Sequence, residues 1–284
     1  FDSVGHEFNL NSPKQLSDVL FNELDLPKKR GASTREAVLE ELKGLHPAIE
    51  KILEYRELNK IYTTYVLPLL EMGRGDSEGA IHTNFKQTGT SSGRLSSSNP
   101  NMQNIPIQGD WAEKIRRVFV ARDGFKLLGM DYSQIELRVM ADISGDDLLI
   151  EDFENDIDIH KATAGRILDK EVEDITKKER SLGKTINFGI LFGQTGFGLG
   201  NMLGISAGTA QEYITSYFKH YAGVEAYMRS FEKEAYKKGY VQSMFGTTRW
   251  IRGLRSKNFR LMRSAQREAI NMPIQGGEAD IMKL

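Results

Sequence analysis

Residues 130–138 read Met-Asp-Tyr-Ser-Gln-Ile-Glu-Leu-Arg, and this stretch indicates the fold more sharply than its neighbours do. The apolar run 125–130 predicts a strand that ends at Asp131, and a helix is expected to begin immediately after it. A carboxylate at the end of a strand, beside a backbone carbonyl, offers the oxygen ligands that Mg²⁺ prefers. Ser133 and Glu136 have the spacing of a capping box, so helix capping alone would account for Glu136.

Four residues further along the chain recur at intervals of four, which places them on one face of a helix. They are Arg180, Lys184, Phe188 and Phe192. Two cations followed by two aromatic rings suit a ligand with an anion at one end and a flat ring at the other, as in a nucleoside triphosphate. A solvated helix end that runs into a buried end is the alternative.

The composition excludes several kinds of site. The chain has 284 residues and no cysteine, so disulfides, Cys-ligated zinc, iron–sulfur clusters and thiol catalysis are excluded. No apolar run approaches the roughly 20 residues that a membrane helix needs, and no signal peptide stands at the start. The first residue is Phe1 rather than Met, so we expect the chain to be cut from something longer.

Charge is unevenly distributed although the formal net charge is only −1. Residues 141–159 contain eight acidic residues and no basic one, whereas residues 239–267 contain seven basic residues and no acidic one. The basic stretch predicts contacts with a phosphate backbone, and two oppositely charged solvated faces are the alternative. Further donors for phosphates and base edges follow Arg94 in the chain, among them Asn101, Gln103 and Asn104.

Periodicity predicts a mostly helical chain with a few short strands. The Gly- and Ser-rich stretch from Thr88 is expected to be an ordered loop, because strand patterns flank it. Pro273 is expected to end the last helix. Helices are predicted at 13–24, 35–44, 46–70, through much of 133–238 and at 257–272, and strands at 81–87, 117–120, 125–130 and within 240–251.

At this point four motifs resemble those of family A DNA polymerases of the bacterial DNA polymerase I type, in the family's order. Residues 90–97 with 101–106 are similar to the primer–template loop, and residues 131–138 to the first catalytic motif. The row from Arg180 to Phe192 resembles the fingers-helix motif, and residues 271–276 resemble a further palm motif. The likeness covers nearly the whole chain.

The resemblance implies an α+β, mostly helical fold: a right hand of palm, fingers and thumb with a short antiparallel palm sheet, incomplete at its C-terminus. The implied division is a partial thumb at 12–75, an incomplete palm at 76–140 and 239–284, and fingers at 141–238. It also implies a cytoplasmic protein, associated with the nucleoid or, if phage-encoded, in the host cytoplasm.

The resemblance further implies a role for each residue of the catalytic centre. Asp131, with the carbonyl of Tyr132, would bind two Mg²⁺ ions for phosphoryl transfer from dNTPs to a primer 3′-hydroxyl. Arg180 and Lys184 would bind the phosphates, and Lys184 would act as general acid toward pyrophosphate.

Other residues would contact the nucleotide or the DNA in such a polymerase. Gln134 and His160 would touch the triphosphate, Glu136 would exclude a 2′-hydroxyl, and Phe188 would stack on the incoming nucleotide. Phe192 would lie near the templating base. The expected contacts with primer–template DNA are Lys60, Arg94, Asn101, Gln103, Asn104, Arg249, Arg267, Asn271 and Gln275.

The chain departs from the family pattern at two points. Phe192 stands where the family usually has Tyr, so a hydroxyl near the templating base is missing. The family's last motif, His-Asp-Glu, supplies the second metal-bridging carboxylate and does not occur here; Glu278 and Asp280 do not match it. We therefore expect DNA binding but poor polymerisation until a second chain or segment supplies that motif. A non-catalytic DNA-binding module on the same scaffold is the alternative.

Overall fold

The computed structural model describes residues 1–28, 31–107 and 109–284. The chain divides into two compact units: unit 1 comprises Phe1–Asn84 and Ser97–Leu127, and unit 2 comprises Phe85–Ser96 and Leu128–Leu284. Helices dominate both units, joined by short strands. None of the helices in the described ranges is long and apolar enough to cross a membrane.

Unit 1 begins with short helices around an apolar core. α1 (Pro13–Asp18) begins at the predicted residue, and Ser12 caps it, because its Oγ accepts from the backbone N–H of Gln15 at 3.4 Å. It continues as a π-helical turn, Val19–Glu23, and is followed by α2 (Glu36–Glu40) and α3 (Pro47–Ile61). The buried side chains of these three helices and of the π-helical turn form one core, which includes Leu16, Leu20, Phe21, Leu39 and Ile49.

A long helical segment completes the first part of unit 1. α3 passes through the π-helical turn Tyr62–Val66 into α4 (Leu67–Gly75), so the predicted helix at 46–70 is confirmed and extends further. A 3₁₀ turn, Met102–Asn104, and α5 (Ala112–Arg117) belong to the same unit.

Unit 2 packs a series of helices around a second core. Their buried side chains include Leu137, Ile186, Leu199 and Tyr217. The helices are α6 (Ile135–Ser144), α7 (Asp147–Glu154), α8 (Ile159–Leu168), α9 (Lys177–Leu191), α10 (Gly196–Leu203), α11 (Ala207–His220) and α12 (Ala222–Lys238).

A single buried carboxylate joins the beginning and the end of this series. Oδ1 of Asp146 accepts from the N–H of Leu149 at 3.0 Å and caps α7. Its Oδ2 accepts from the N–H groups of Gly223 and Val224 at 2.7 and 3.2 Å, in the first turn of α12. Asp146 therefore satisfies backbone donors of two helices that are distant in the sequence.

The strands are short and form two-stranded sheets. β1 (Asn84–Lys86) pairs with β2 (Ser96–Ser98), and β3 (Tyr240–Gln242) pairs antiparallel with β4 (Thr248–Trp250). α13 (Phe259–Ile281) then packs against α6, α12 and β3. The buried residues of α12, β3 and α13 form a third core cluster, which includes Ala235, Val241, Ala269 and Met272.

Two predicted strands are absent. Residue 117 ends α5, and residues 118–134 contain no helix or strand. A strand needs hydrogen bonds to a neighbouring strand, and no described segment provides one for residues 125–130. The apolar side chains of Phe125, Leu128 and Met130 are instead 74%, 81% and 86% exposed. The sequence pattern identified the apolar residues, but it could not show that no neighbouring strand is present in the described part of the chain to pair with them.

The predicted helix end at Pro273 is also wrong. α13 continues through Pro273 to Ile281. A proline in a helix interior costs about 3 kcal/mol, chiefly by removing one backbone hydrogen bond and crowding the preceding turn. The neighbouring residues Met272, Ile274, Gly276 and Gly277 are buried, so packing on both sides of the proline offsets that cost.

Candidate active site

α8 and α9 provide a closely packed platform in unit 2. Thr176 caps α9 through a capping box with Glu179, which fixes where the helix begins. Gly183 lets the two helices approach, because a Cβ at this position would lie 2.1 Å from the carbonyl oxygen of His160. The predicted row is therefore held on one face of α9, with Phe192 as the residue that ends the helix.

The basic end of the row holds one engaged cation and one available cation. Nε of Arg180 donates to Oδ2 of Asp158 at 2.6 Å. The other carboxylate oxygen caps α8 by accepting from the N–H of His160 at 3.0 Å. Burial raises the pKa of Asp158, but the hydrogen bond and charge of Arg180, together with the backbone N–H groups of Lys161 and His160, outweigh burial, and the pKa lies below its ordinary value. Lys184 is exposed and forms no ion pair within the described ranges, so its ammonium can bind an anion.

The other end of the row is aromatic. The rings of Phe188 and Phe192 stack with centroids 6.0 Å apart and planes 21° apart. The ring of His160 lies 5.9 Å from that of Phe188. Both phenylalanines are half-buried, so part of each ring can receive a further flat group.

His160 is neutral at physiological pH. Its side chain is 3% exposed, and burial, together with the charges of Arg180 and Lys184, lowers its pKa to about 4. Nδ2 of Asn187 lies 3.2 Å from Nδ1 of the imidazole, and Oδ1 of Asn187 accepts from Thr163 Oγ1 at 3.0 Å. Because the amide nitrogen can only donate, this network assigns the imidazole proton to Nε2.

Asn187 is a functional candidate that the sequence did not reveal. It lies three residues after Lys184 and one before Phe188, outside the four-residue repeat. It is completely buried, and its amide links α9 to His160 and to the carbonyl of Ile159. The only sequence signal that could have identified it is the presence of an asparagine in an otherwise apolar stretch of a predicted helix, because a polar side chain that is buried there needs hydrogen-bond partners.

The candidate metal ligands precede α6. Asp131 and Tyr132 are exposed in the irregular segment before the helix. No three His, Asp or Glu side chains in the described part of the chain are arranged to hold a metal ion. Asp131 and the Tyr132 carbonyl still fit Mg²⁺, because proteins commonly hold it by one or two carboxylates while phosphates and water complete the shell.

The start of α6 differs from the predicted capping box. Gln134 begins the helix with a left-handed backbone (φ +49°) and no side-chain cap, and Ser133 is exposed. Glu136 does not reach back to cap the helix; its Oε1 accepts from Nη2 of Arg94 at 2.6 Å. An ion pair with a distant loop has replaced the local interaction that the spacing predicted.

Three of the DNA-contact candidates share one face of α13, because they are four residues apart: Arg267, Asn271 and Gln275. Arg267 is exposed and adjoins the turn after Phe192, since a Cβ at Gly193 would lie 3.4 Å from its Cγ. Oδ1 of Asn271 is buried and has no hydrogen-bond partner among the described residues. Arg249 on β4 already pairs with Glu268 of α13.

The remaining DNA-contact candidates lie in unit 1. Lys60 is exposed in the last turn of α3. Asn101 caps the following 3₁₀ turn, because its Oδ1 accepts from the N–H of Gln103 at 3.1 Å. The carbonyl of Asn104 accepts from the hydroxyl of Tyr65 at 2.6 Å, while the side chains of Gln103 and Asn104 are exposed.

Comparison with known proteins adds independent findings. Residues 1–284 match the family model of DNA polymerase family A. DNA polymerase I of Lactococcus lactis subsp. lactis is 46% identical over 289 residues, and the thermostable DNA polymerase I of Thermus aquaticus is 44% identical over 290 residues. Each match covers 100% of this chain but only 33% and 35% of those relatives, so the chain spans about a third of their length.

A solved structure shows a similar fold. The POL domain of Pol1 from M. smegmatis, in complex with DNA primer-template and dNTP, matches with a TM-score of 0.90 and 38% sequence identity. The match covers 99% of this chain and 50% of that chain.

Proposed function

Because the chain belongs to DNA polymerase family A, we propose that it transfers deoxynucleotides from dNTPs to a primer 3′-hydroxyl under the direction of a DNA template. The observation that carries this proposal is the row along α9. An available ammonium and a guanidinium lie at one end, and stacked, half-buried rings lie at the other. This order matches the triphosphate and the base of a nucleotide.

The residues of unit 2 then take distinct roles. Lys184 and Arg180 bind the phosphates, and Lys184 delivers a proton to the departing pyrophosphate. The neutral His160 can donate a hydrogen bond only from Nε2, and Gln134 contacts the triphosphate. Phe188 stacks on the incoming base.

The metal-dependent part of the proposal concerns the exposed acid before α6. Asp131 and the Tyr132 carbonyl would hold Mg²⁺, which lowers the pKa of the attacking hydroxyl and balances the charge of the triphosphate when bound. Glu136 faces the sugar and excludes a 2′-hydroxyl. Phe192 supports the templating base through its ring alone.

For the DNA we propose contacts in both units, with the thumb at 12–75, the palm at 76–140 and 239–284, and the fingers at 141–238. The exposed Lys60 binds a backbone phosphate. Contacts with primer and template come from Arg94, Asn101, Gln103, Asn104, Arg249, Arg267, Asn271 and Gln275. We propose that this activity takes place in the cytoplasm, in association with the nucleoid, or in the host cytoplasm if the chain is phage-encoded; the bacterial relatives support this location.

We further propose that a second segment, from another chain or a longer form of this one, completes the catalytic centre. The exposed apolar side chains of Phe125, Leu128 and Met130 support this proposal, since a further segment could cover them and the backbone that carries them leads directly to Asp131 outside any helix or strand. A carboxylate carried by that segment would double the negative charge available to a pair of Mg²⁺ ions.

Primer extension tests the proposal. The parent chain is mixed with the C-terminal segment of a relative, primer–template DNA, Mg²⁺ and four dNTPs. Asp131→Ala should reduce the extension rate by about 10²-fold or more. Asp123→Ala, an exposed aspartate of the same irregular segment, is the matched control and should extend normally. Equal extension by parent and Asp131→Ala would refute the assignment of Asp131.

A non-catalytic DNA-binding module is the second candidate function, and the basic stretch 239–267 is the observation that favours it. The two candidates differ in nucleotide binding. If dNTP with Mg²⁺ protects α9 from proteolysis, a function limited to DNA binding does not explain the result. If primer–template DNA protects the chain and dNTP adds nothing, the polymerase proposal fails.

A further inference from the structure

One guanidinium in unit 2 is shared by two carboxylates from different helices. Nη2 of Arg94 donates to Oε1 of Glu136 on α6 at 2.6 Å and also to Oε2 of Glu278 on α13. The side chains of Glu136 and Glu278 are only 13% and 20% exposed. The cluster therefore links α6, α13 and the segment between β1 and β2 through one side chain.

The backbone around Arg94 is closed by a local hydrogen bond and lies against the end of α13. Thr90 Oγ1 donates to the carbonyl of Arg94 at 2.6 Å and closes the turn. A Cβ at Gly93 would lie 3.1 Å from Nζ of Lys283 and 3.9 Å from Cβ of Ala279, so this turn lies directly on the last turns of α13. From that position the guanidinium reaches across to α6.

The charges of the cluster do not balance, because two carboxylates meet one guanidinium. Burial raises the pKa of Glu136, Arg94 lowers it and Glu278 raises it again, and the pKa lies above its ordinary value. Glu278 thus does not stabilise the charge of Glu136 directly. Its favourable contact is with Arg94, which remains between the two acids.

We propose that Glu278 is a positioning residue for Glu136: it anchors Arg94 from α13, and Arg94 in turn fixes the carboxylate of Glu136 that selects a deoxyribose over a ribose. This inference rests on the proposed function, since Glu136 can discriminate between sugars only when a nucleotide binds beside α9. It assigns Glu278 a role in specificity without contact with the substrate.

Nucleotide affinity in a ternary complex tests this role without requiring chemistry. The parent chain is bound to a primer–template whose primer ends in a dideoxynucleotide and whose templating base is thymine. Dissociation constants are measured for dATP and for ATP with Mg²⁺. Glu278→Gln removes the anchoring charge but keeps the size of the side chain. Glu225→Gln, which removes the acid of the exposed Arg229–Glu225 pair, is the matched control.

Glu278→Gln is expected to lower the ratio of the ATP to the dATP dissociation constant by about fivefold, which corresponds to about 1 kcal/mol, with the dATP constant changed less than about twofold. Glu225→Gln should leave both constants unchanged. If Glu278 had only a structural role, Glu278→Gln would weaken the binding of dATP and ATP equally and would lower the unfolding temperature.

A double-mutant cycle tests whether the effect passes through Arg94. In an Arg94→Ala background, Glu278→Gln should produce no further change in the ratio. If Glu278→Gln still changed the ratio in that background, Glu278 would not act on Glu136 through Arg94, and the proposal would be overturned. An unchanged ratio in Glu278→Gln, with selective dATP binding by the parent, would overturn this inference and leave the proposed function intact. If the parent binds neither nucleotide, the proposed function fails, and the inference fails with it.

Discussion

Replacing Gly183 by alanine should separate α8 from α9. The added Cβ would lie 2.1 Å from the carbonyl oxygen of His160 and 3.1 Å from the Cβ of Ala164. Real Cβ atoms essentially never lie within 3.0 Å of a non-bonded atom, so the backbone of one helix must move by about 0.9 Å. His160 is part of that backbone, and its ring would move relative to Phe188 and Asn187.

The expected cost follows from opposing contributions. Overpacking of a close helix contact costs about 1–3 kcal/mol, whereas alanine is favoured over glycine in a helix by about 1 kcal/mol. We expect a net loss of about 2 kcal/mol in the free energy of unfolding, because the obstructing atom is backbone and cannot rotate away. Since a 1 Å misplacement of binding groups can cost up to about 100-fold in rate, dATP affinity should fall by about tenfold.

Urea unfolding followed by far-UV circular dichroism, and titration with dATP and Mg²⁺, measure the two effects. Gly208→Ala is the matched control, because Gly208 lies in the first turn of α11 and only Ser206 Oγ, at 3.6 Å, would approach its Cβ. It should leave binding unchanged and stabilise the protein by at most about 1 kcal/mol. A Gly183→Ala chain that unfolds at the parent's urea midpoint would refute the packing argument.

Three further predictions concern charged and polar groups of unit 2. Arg166→Met leaves the buried Asp152 without its bidentate partner and should lower the free energy of unfolding, measured with urea, by about 3–5 kcal/mol. The double substitution Arg166→Met with Asp152→Asn should lower it less, because no unpaired buried charge remains. Lys184→Ala should weaken dATP binding by about tenfold in calorimetry, because the ammonium that binds the phosphates is removed. Thr185→Ala is the control and should leave dATP binding unchanged, because the hydroxyl of Thr185 donates to a carbonyl within α9. Equal losses of affinity in the two variants would contradict the phosphate role of Lys184. The folded-state pKa of His160 lies at about 4, below the ordinary 6.5, so its contribution to stability is complete above pH 6.5 and is lost as the pH falls toward 4. His160→Gln should remove that part of the pH dependence, and a parent and variant with parallel pH–stability curves would contradict the buried neutral ring.

The sequence predicted the helical row from Arg180 to Phe192 better than the elements around it. The row from Arg180 to Phe192 depends only on helical periodicity, which is local, and α9 displays it as expected. The family resemblance also stands, since motif order does not depend on tertiary detail. The contact of Asn187 with His160 was not predicted, because it depends on the packing of a neighbouring helix, although an asparagine in an apolar stretch of a predicted helix was a signal in the sequence.

The errors have non-local causes. Ser133 and Glu136 satisfy the local rule for a capping box, but Arg94 lies 42 residues before Glu136 and binds its carboxylate instead. The strand predicted at 125–130 has the right composition and lacks a neighbouring strand in the described residues. Pro273 should end a helix by local rules, yet the buried residues on both sides of it maintain α13.

The carboxylate of Asp146 also affects the order in which unit 2 folds. Its hydrogen bond to Gly223 closes a chain segment of 77 residues, which costs about 4 kcal/mol of chain entropy before the bond forms. The contacts of α8 with α9 and of α10 with α11 join neighbours in the chain and can form with much shorter closures. We therefore expect these helix pairs to associate first and α12 to dock late. The hydrogen bonds of Asp146 would then mainly lower the unfolding rate. Interactions that are absent from the transition state slow unfolding and leave the folding rate nearly unchanged.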